Sequence, residues 1–185
     1  MKPVIEFLEG IHPLSEGLKM YLFEHLTLQT IQKRHKLLKP GHISGRIYFV
    51  VKGLFRCYVK RGDKEICKWF MREGDVVISV NSFFNQVCST ETIESLEECI
   101  VLSITYAELQ EGYRLYPELR YIGQKLTEKY YCLSEVRADD LRMKGVEELY
   151  NDWVRQYPDL VERVPGNDLA SYFGVSFQTL WRHSD

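Results

Sequence analysis

Residues 47–71 read IYFVVKGLFRCYVKRGDKEICKWFM. Ile47 to Val51 is a short apolar run, the length of a buried strand, and Lys52-Gly53 breaks it. Leu54 to Lys60 follows, then a Gly62-Asp63 turn, then Glu65 to Met71, together the pattern of a β-hairpin. Gly74-Asp75 turns the chain again into Val76 to Val80, and Thr90 to Leu96 and Cys99 to Ile104 close the series. Strands this short, separated by turns, predict a compact antiparallel roll or barrel.

Upstream of this stretch, Ser15 to about His25 reads as a helix, with Pro13 just before it and Ser15 as its N-cap. Leu28 to Leu38 mixes Thr and Ile with polar residues and ends at the Lys39-Pro40-Gly41 turn. Downstream, the pattern changes near residue 105 to helices: Tyr106 to Glu111, Pro117 to Val136, and about Asp139 to Gln156. The fold class is therefore α+β, with an N-terminal antiparallel β-roll, a long helix and a helical tail.

In the long helix, Leu119, Ile122, Leu126, Leu133 and Val136 recur at spacings of three and four, with Lys129 at the missing position. That register presents one apolar stripe to a partner helix. The same stripe would suit an amphipathic helix packed on its own domain. Its narrowness and its flanking Tyr121, Tyr130 and Tyr131 favour a homodimer seam.

The 185 residues suffice for one good-sized domain plus a small one, and 45% hydrophobic and 13% aromatic content imply packed cores. No apolar run approaches a membrane span and no basic leader precedes one, so a cytoplasmic protein away from membranes is expected. Five cysteines are spread without a C-x-x-C pair, and five histidines without H-x-H spacing, so no metal is expected. The net charge of −2 gives no overall attraction to nucleic acid.

The tail nevertheless carries the sharpest motif. Asn167 to His183 has helix-turn-helix spacing. Ala170 lets two helices approach, Gly174 permits a positive-φ turn, and Leu180 seats the second helix. Leu169, Phe173 and Val175 supply further inward positions. Ser176 would cap the second helix, whose exposed face offers Phe177, Gln178, Thr179, Trp181 and Arg182. Gln178 and Arg182 are of the types that read adenine and guanine edges, while Ser176 and Thr179 can bond phosphate oxygens. From Arg142 onward there are five Arg/Lys against seven Asp/Glu, so affinity would have to come from dimerisation on double-stranded DNA.

With IYFVVKGLFRCYV, KWFMREGD and CIVLSI in front and VPGNDLASYFGVSFQTLWR behind, the chain from about Leu14 to Arg182 resembles the Crp/Fnr family of bacterial transcription regulators. The resemblance implies a cyclic-nucleotide-binding-like β-roll (1–116), a dimerisation helix (117–137) and a helix-turn-helix DNA-binding domain (138–185). It implies a small-molecule effector for the roll, and it leaves RNA polymerase as a further candidate partner. The effector pocket would lie at Ile78, Ser79, Val80, Ser89 and Thr90.

Two departures from that family matter. Members that bind cyclic AMP carry Gly-Glu after the Gly-Asp turn and Arg-Ser/Thr ten residues on. Here Ile78 and Ser79, then Ser89 and Thr90, stand at those positions. Without the charge-assisted partners of ribose and phosphate, no useful cyclic AMP binding is expected. The pocket would take a different or less polar effector, or be filled. The tail also leaves too few residues after the second helix for a wing, and Phe177 and Trp181 replace the usual polar and small residues. The family's iron–sulfur and haem branches need N-terminal cysteines or a dimer-region histidine, so no resident cofactor is expected. No catalytic signature is present and the chain is not expected to be an enzyme. The rival reading is a dimeric sensor or scaffold whose degenerate tail binds protein rather than DNA.

Overall fold

The structure, a computed structural model, describes residues 1–182. Two helices open it, α1 (Lys2–Glu9) and α2 (Glu16–His25). The Ser15 side chain caps α2 by accepting from Leu18 N. Eight strands follow: β1 (Thr27–Ile31), β2 (Lys36–Leu38), β3 (Arg46–Lys52), β4 (Phe55–Arg61), β5 (Lys64–Met71), β6 (Val76–Val77), β7 (Thr92–Ser95) and β8 (Cys99–Thr105). A short helix, α3 (Val80–Asn85), interrupts them between β6 and β7. The strands form two four-stranded antiparallel sheets, β1-β8-β3-β6 and β2-β7-β4-β5.

The sheets enclose a core in which Val50, Phe55, Val77, Cys99 and Val101 are buried. Alternation along β3 sends Val50 inward and Phe49 to the opposite face. There Phe49, Leu102 and Ile104 meet Leu18, Tyr21 and Leu22 of α2 in a second core. Gly53 adopts φ +107, and a Cβ there would lie 2.5 Å from Cys99 Sγ, so the break after β3 requires glycine.

Past the roll come α4 (Tyr106–Leu115), α5 (Pro117–Met143) and α6 (Val146–Gln156). A 3₁₀ turn at Pro158–Leu160 leads to α7 (Gly166–Tyr172) and α8 (Phe177–Trp181). A reciprocal capping box between Thr105 and Glu108 marks the change from strand to helix. The expected strand to Val80 stops at Val77, because residues 80–85 wind into α3. The helix expected from Asp139 is the end of α5 instead. Nothing between Arg137 and Met143 breaks a helix, whereas Lys144-Gly145 does. Lys144 Nζ then bridges Asp140 at 2.8 Å and Asp152 at 2.7 Å, tying α5 to α6.

Candidate nucleic-acid interface and roll cavity

The tail folds from its inward residues. Leu169, Ala170, Phe173 and Leu180 are buried together with Leu149 and Trp153 of α6. Gly174 turns the chain with φ +72, and Val175 N donates to Ala170 O at 3.0 Å. The turn delivers α8 with Ser176, Phe177, Gln178, Trp181 and Arg182 exposed and Thr179 half-buried. Ser176 Oγ accepts from Thr179 N at 3.1 Å and lies 2.9 Å from Thr179 Oγ1, so both hydroxyls serve the helix cap. Phe177 stacks on Trp181 with centroids 6.1 Å apart, and a Cβ on Gly166 would come within 2.6 Å of the Phe177 ring. Gly166, which the motif spacing does not single out, is therefore what lets α7 and α8 close. His183 lies outside the described residues.

The five expected pocket residues differ in exposure. Val80 and Thr90 are exposed, a correction that follows from α3 turning Val80 out of the roll. Ser79 and Ser89 are buried and paired, Oγ to Oγ at 3.2 Å. Ser79 Oγ also donates to Glu91 Oε2 at 2.6 Å, and Lys68 Nζ pairs with the other oxygen of Glu91. An internal carboxylate thus occupies the polar corner beside the two serines. It also faces Cys57, whose thiol burial, aided by Glu91, pushes up to about 12.

Ile78 lines a separate cavity of about 330 Å³ at one end of the roll. Leu37, Leu38, Val77 and Ile93 form its apolar wall, and Ser44, Arg46, Tyr48 and Thr105 its polar side. A sequence signal for it existed in the alternation of β3, which sends Arg46, Tyr48 and Val50 to the same face.

Residues 28–115 match the model of the cyclic nucleotide-binding domain. No curated protein matches the sequence. Among solved structures, the chain is similar to the c-di-GMP responsive global regulator CLP of Xanthomonas campestris. Identity is 21%, covering 91% of this chain and 89% of that one, with a TM-score of 0.66. It is similar to FixK2 of Bradyrhizobium japonicum at 17% identity, covering 85% and 82%, with a TM-score of 0.72. A candidate transcriptional regulator of the crp/fnr family from Eubacterium rectale matches at 13% identity over 92% and 82%, also with a TM-score of 0.72. The fold is that of the Crp/Fnr regulators.

In this Crp/Fnr fold the long helix leaves only part of the expected seam open. Leu119 and Ile122 are buried in the chain's own core with Tyr21, Leu22 and Phe83, and Leu126 packs against the same cluster. Leu119 and Ile122 are corrected to intramolecular contacts, because α4 packs on that face of α5 within a core shared with α1 and α2. Leu133 is half-buried, while Val136 is 59% exposed, beside exposed Tyr131 and Cys132.

The tail is docked on its own roll. Cys67 and Phe70 of β5 and Leu54 join the tail core, and Ser171 Oγ accepts from Cys67 N and donates to Glu65 O, both at 2.9 Å. Arg56 of β4 donates to Asp168 of α7 at 2.5 Å and pairs with Glu94 at 2.6 Å and Glu65 at 2.8 Å. Arg163 bridges Glu73 at 2.9 Å and Glu97 at 2.6 Å, and Arg72 pairs with Asp159. Ion pairs thus engage Arg142, Lys144, Arg155 and Arg163, four of the five tail cations. No helix among the described residues is long and apolar enough to cross a membrane.

Proposed function

We propose that this chain is a cytoplasmic, dimeric transcription regulator that reads double-stranded DNA through α8. The observation that carries the reading is the exposed α8 face, with Gln178, Trp181 and Arg182 presented on a helix pair whose inward Leu169, Ala170, Phe173 and Leu180 are buried and Val175 half-buried. Gln178 and Arg182 supply base-edge readers, and Phe177 an apolar contact of the kind that meets a thymine methyl. A single tail with this charge balance binds phosphate weakly, so two copies on adjacent half-sites supply the affinity. The exposed side of α5 around Tyr131, Cys132 and Val136, rather than Leu119 and Ile122, is the surface left for pairing.

The roll is the sensing part, and its effector is not cyclic AMP. Glu91 supports this reading, since a fixed carboxylate beside Ser79 and Ser89 repels a phosphate. No resident cofactor or metal is required. Coupling runs through α5 as a shift between two populations. The Tyr130 hydroxyl accepts from Val76 N at 3.0 Å and donates to Asp75 at 3.4 Å, and Arg137 Nη2 donates to Tyr172 O at 2.9 Å. One helix thereby touches both the Gly74-Asp75 turn of the roll and the tail. RNA polymerase would be engaged from the DNA-bound state.

The stacked pair Phe177–Trp181 favours a second reading, in which the tail binds a protein. Selection of genomic fragments on the immobilised protein separates the two. Enrichment of a two-fold-symmetric site, with retention falling steeply as salt rises, supports the regulator. No enriched sequence at any salt, with cell extract supplied as a source of effector, favours the protein-binding tail.

A further inference from the structure

We infer that the cavity at the end of the roll binds a small monocarboxylate with an apolar body, anchored by Arg46. The cavity measures about 330 Å³ and lies at the lower end of the ligand-pocket range. Leu38, Ile43, Val77, Ile78 and Ile93 make most of its wall apolar. Arg46, half-buried on β3, is the single charged side chain lining it. Its Nη1 donates to Ser103 Oγ at 3.0 Å, which fixes the guanidinium; the facing carboxylate, Glu108, feels its charge but is hydrogen-bonded to Thr105 in the capping box and makes no ion pair with it. A buried-edge guanidinium with most of its donors unspent is a fork for a carboxylate.

The number of charges selects the class. One cation matches one negative charge, whereas a phosphate dianion would retain unbalanced charge against six aliphatic neighbours. Tyr48, also lining the cavity, is kept a neutral phenol by burial and can donate beside Arg46. The rim strengthens the choice of sign. Lys36 and Lys39 flank lining residues Leu37 and Leu38, and both are exposed. That sets two cations next to the lining in a chain whose net charge is negative. The site is distinct from the Ser79/Ser89/Glu91 corner, which holds its own carboxylate.

The inference rests on reading the roll as a sensor but does not depend on DNA binding, and its test contains no DNA. Hexanoate, hexan-1-ol, inorganic phosphate and cyclic AMP would be titrated by calorimetry into the full chain. Hexanoate should bind with 1:1 stoichiometry and more tightly than the isosteric alcohol. Arg46→Gln should weaken hexanoate roughly ten- to a hundredfold and leave hexanol unchanged. Arg46→Lys should recover part of the loss, and Ile78→Phe, which fills the cavity, should abolish both. Each variant's circular dichroism and melting temperature show that it is folded. Equal affinity for acid and alcohol, tighter binding of phosphate or cyclic AMP, unchanged binding in Arg46→Gln, or no binding of butanoate, hexanoate or octanoate would overturn the inference. A hexanoate site in a protein that selects no DNA would leave it standing and remove only the regulator reading.

Discussion

Arg56 on β4 and Asp168 on α7 are 112 positions apart in the sequence and joined by a hydrogen bond of 2.5 Å. The guanidinium also lies over the Tyr58 ring at 4.3 Å and pairs with Glu94 and Glu65. Arg56 is 13% exposed and Asp168 14%, so this is a largely desolvated contact between roll and tail. Burial opposes the charge on Arg56, but the three carboxylates reverse that and hold it protonated. Arg56→Ala leaves three carboxylates facing one another and should cost about 3–5 kcal/mol of unfolding free energy. Asp168→Asn, which keeps a hydrogen-bond acceptor and leaves Arg56 two partners, should cost less. Urea denaturation of both variants checks the order, and equal losses would contradict it.

Arg182→Ala should reduce affinity for a selected operator by roughly 1–3 kcal/mol and relax discrimination at one base pair per half-site. Melting temperature should stay within a degree or two of the parent, since Arg182 is exposed. Fluorescence anisotropy with the selected site and single-base variants reads both. Unchanged affinity removes Arg182 from the interface.

Two substitutions on α5 distinguish its faces. Leu126→Asp puts a charge into the core shared with Leu119 and Ile122 and should destabilise the chain by roughly 1–3 kcal/mol. Val136→Asp, at a position 59% exposed, should leave the isolated chain within about 0.5 kcal/mol and shift its mass in light scattering from dimer to monomer. A dimer mass that survives Val136→Asp places the contact elsewhere.

Acid should loosen the docking of the tail. Burial raises the Glu73 carboxyl, but hydrogen bonds from Arg163 and Gly53 N outweigh it and the net shift is downward. Asp159 is lowered as well, first by its hydrogen bond from Arg72. A carboxylate with a depressed folded value contributes stability that is present above its unfolded value, about 4.3 for Glu and about 3.9 for Asp, and lost as pH falls through the folded one. Asp168 has the opposite sign, because burial raises it despite Arg56. Melting temperature should therefore fall below about pH 4.5, and Arg163→Gln should flatten that limb. An identical acid limb in the variant would show that the Arg163 clamp does not set it.

Thiol labelling tests the placement of the roll. Cys88 and Cys132 are exposed, while Cys57, Cys67 and Cys99 are buried. Burial pushes Cys57 up to about 12, Cys99 to about 11, and Cys67 upward as well. A thiol reagent at pH 8 should modify Cys88 quickly, Cys132 quickly only where the α5 contact is open, as in monomeric Val136→Asp, and the other three only on unfolding. Fast labelling of a third would mean that the sheets open more readily than their packing implies.

The strand segments from Ile47 to Met71, the Ser15 and Ser176 caps and the Gly174 turn were legible because each is a local preference with a residue type that serves it. α1 escaped notice because Lys2 to Glu9 is short and buries only Val4 and Leu8, too little periodicity to stand out. The end of α5 was misplaced for a related reason: a helix ends where a breaker stands, and the apolar stripe ended seven residues before Lys144-Gly145.

By itself the sequence determined most of the strands of the roll and the presence of the long helix, that the chain changes period near residue 105, and that the tail has helix-turn-helix spacing. Those follow from backbone preference and hydrophobic period, which act over a few residues. Only the tertiary structure decided which partner each apolar face meets. Leu119 and Ile122 could serve a second chain or their own, and the core they share with α1, α2 and α4 takes them first. Arg46 and Ile78, or Arg56 and Asp168, meet only because two sheets close and a tail folds back. Burial and charge pairing depend on distance in space, which spacing along the chain does not record.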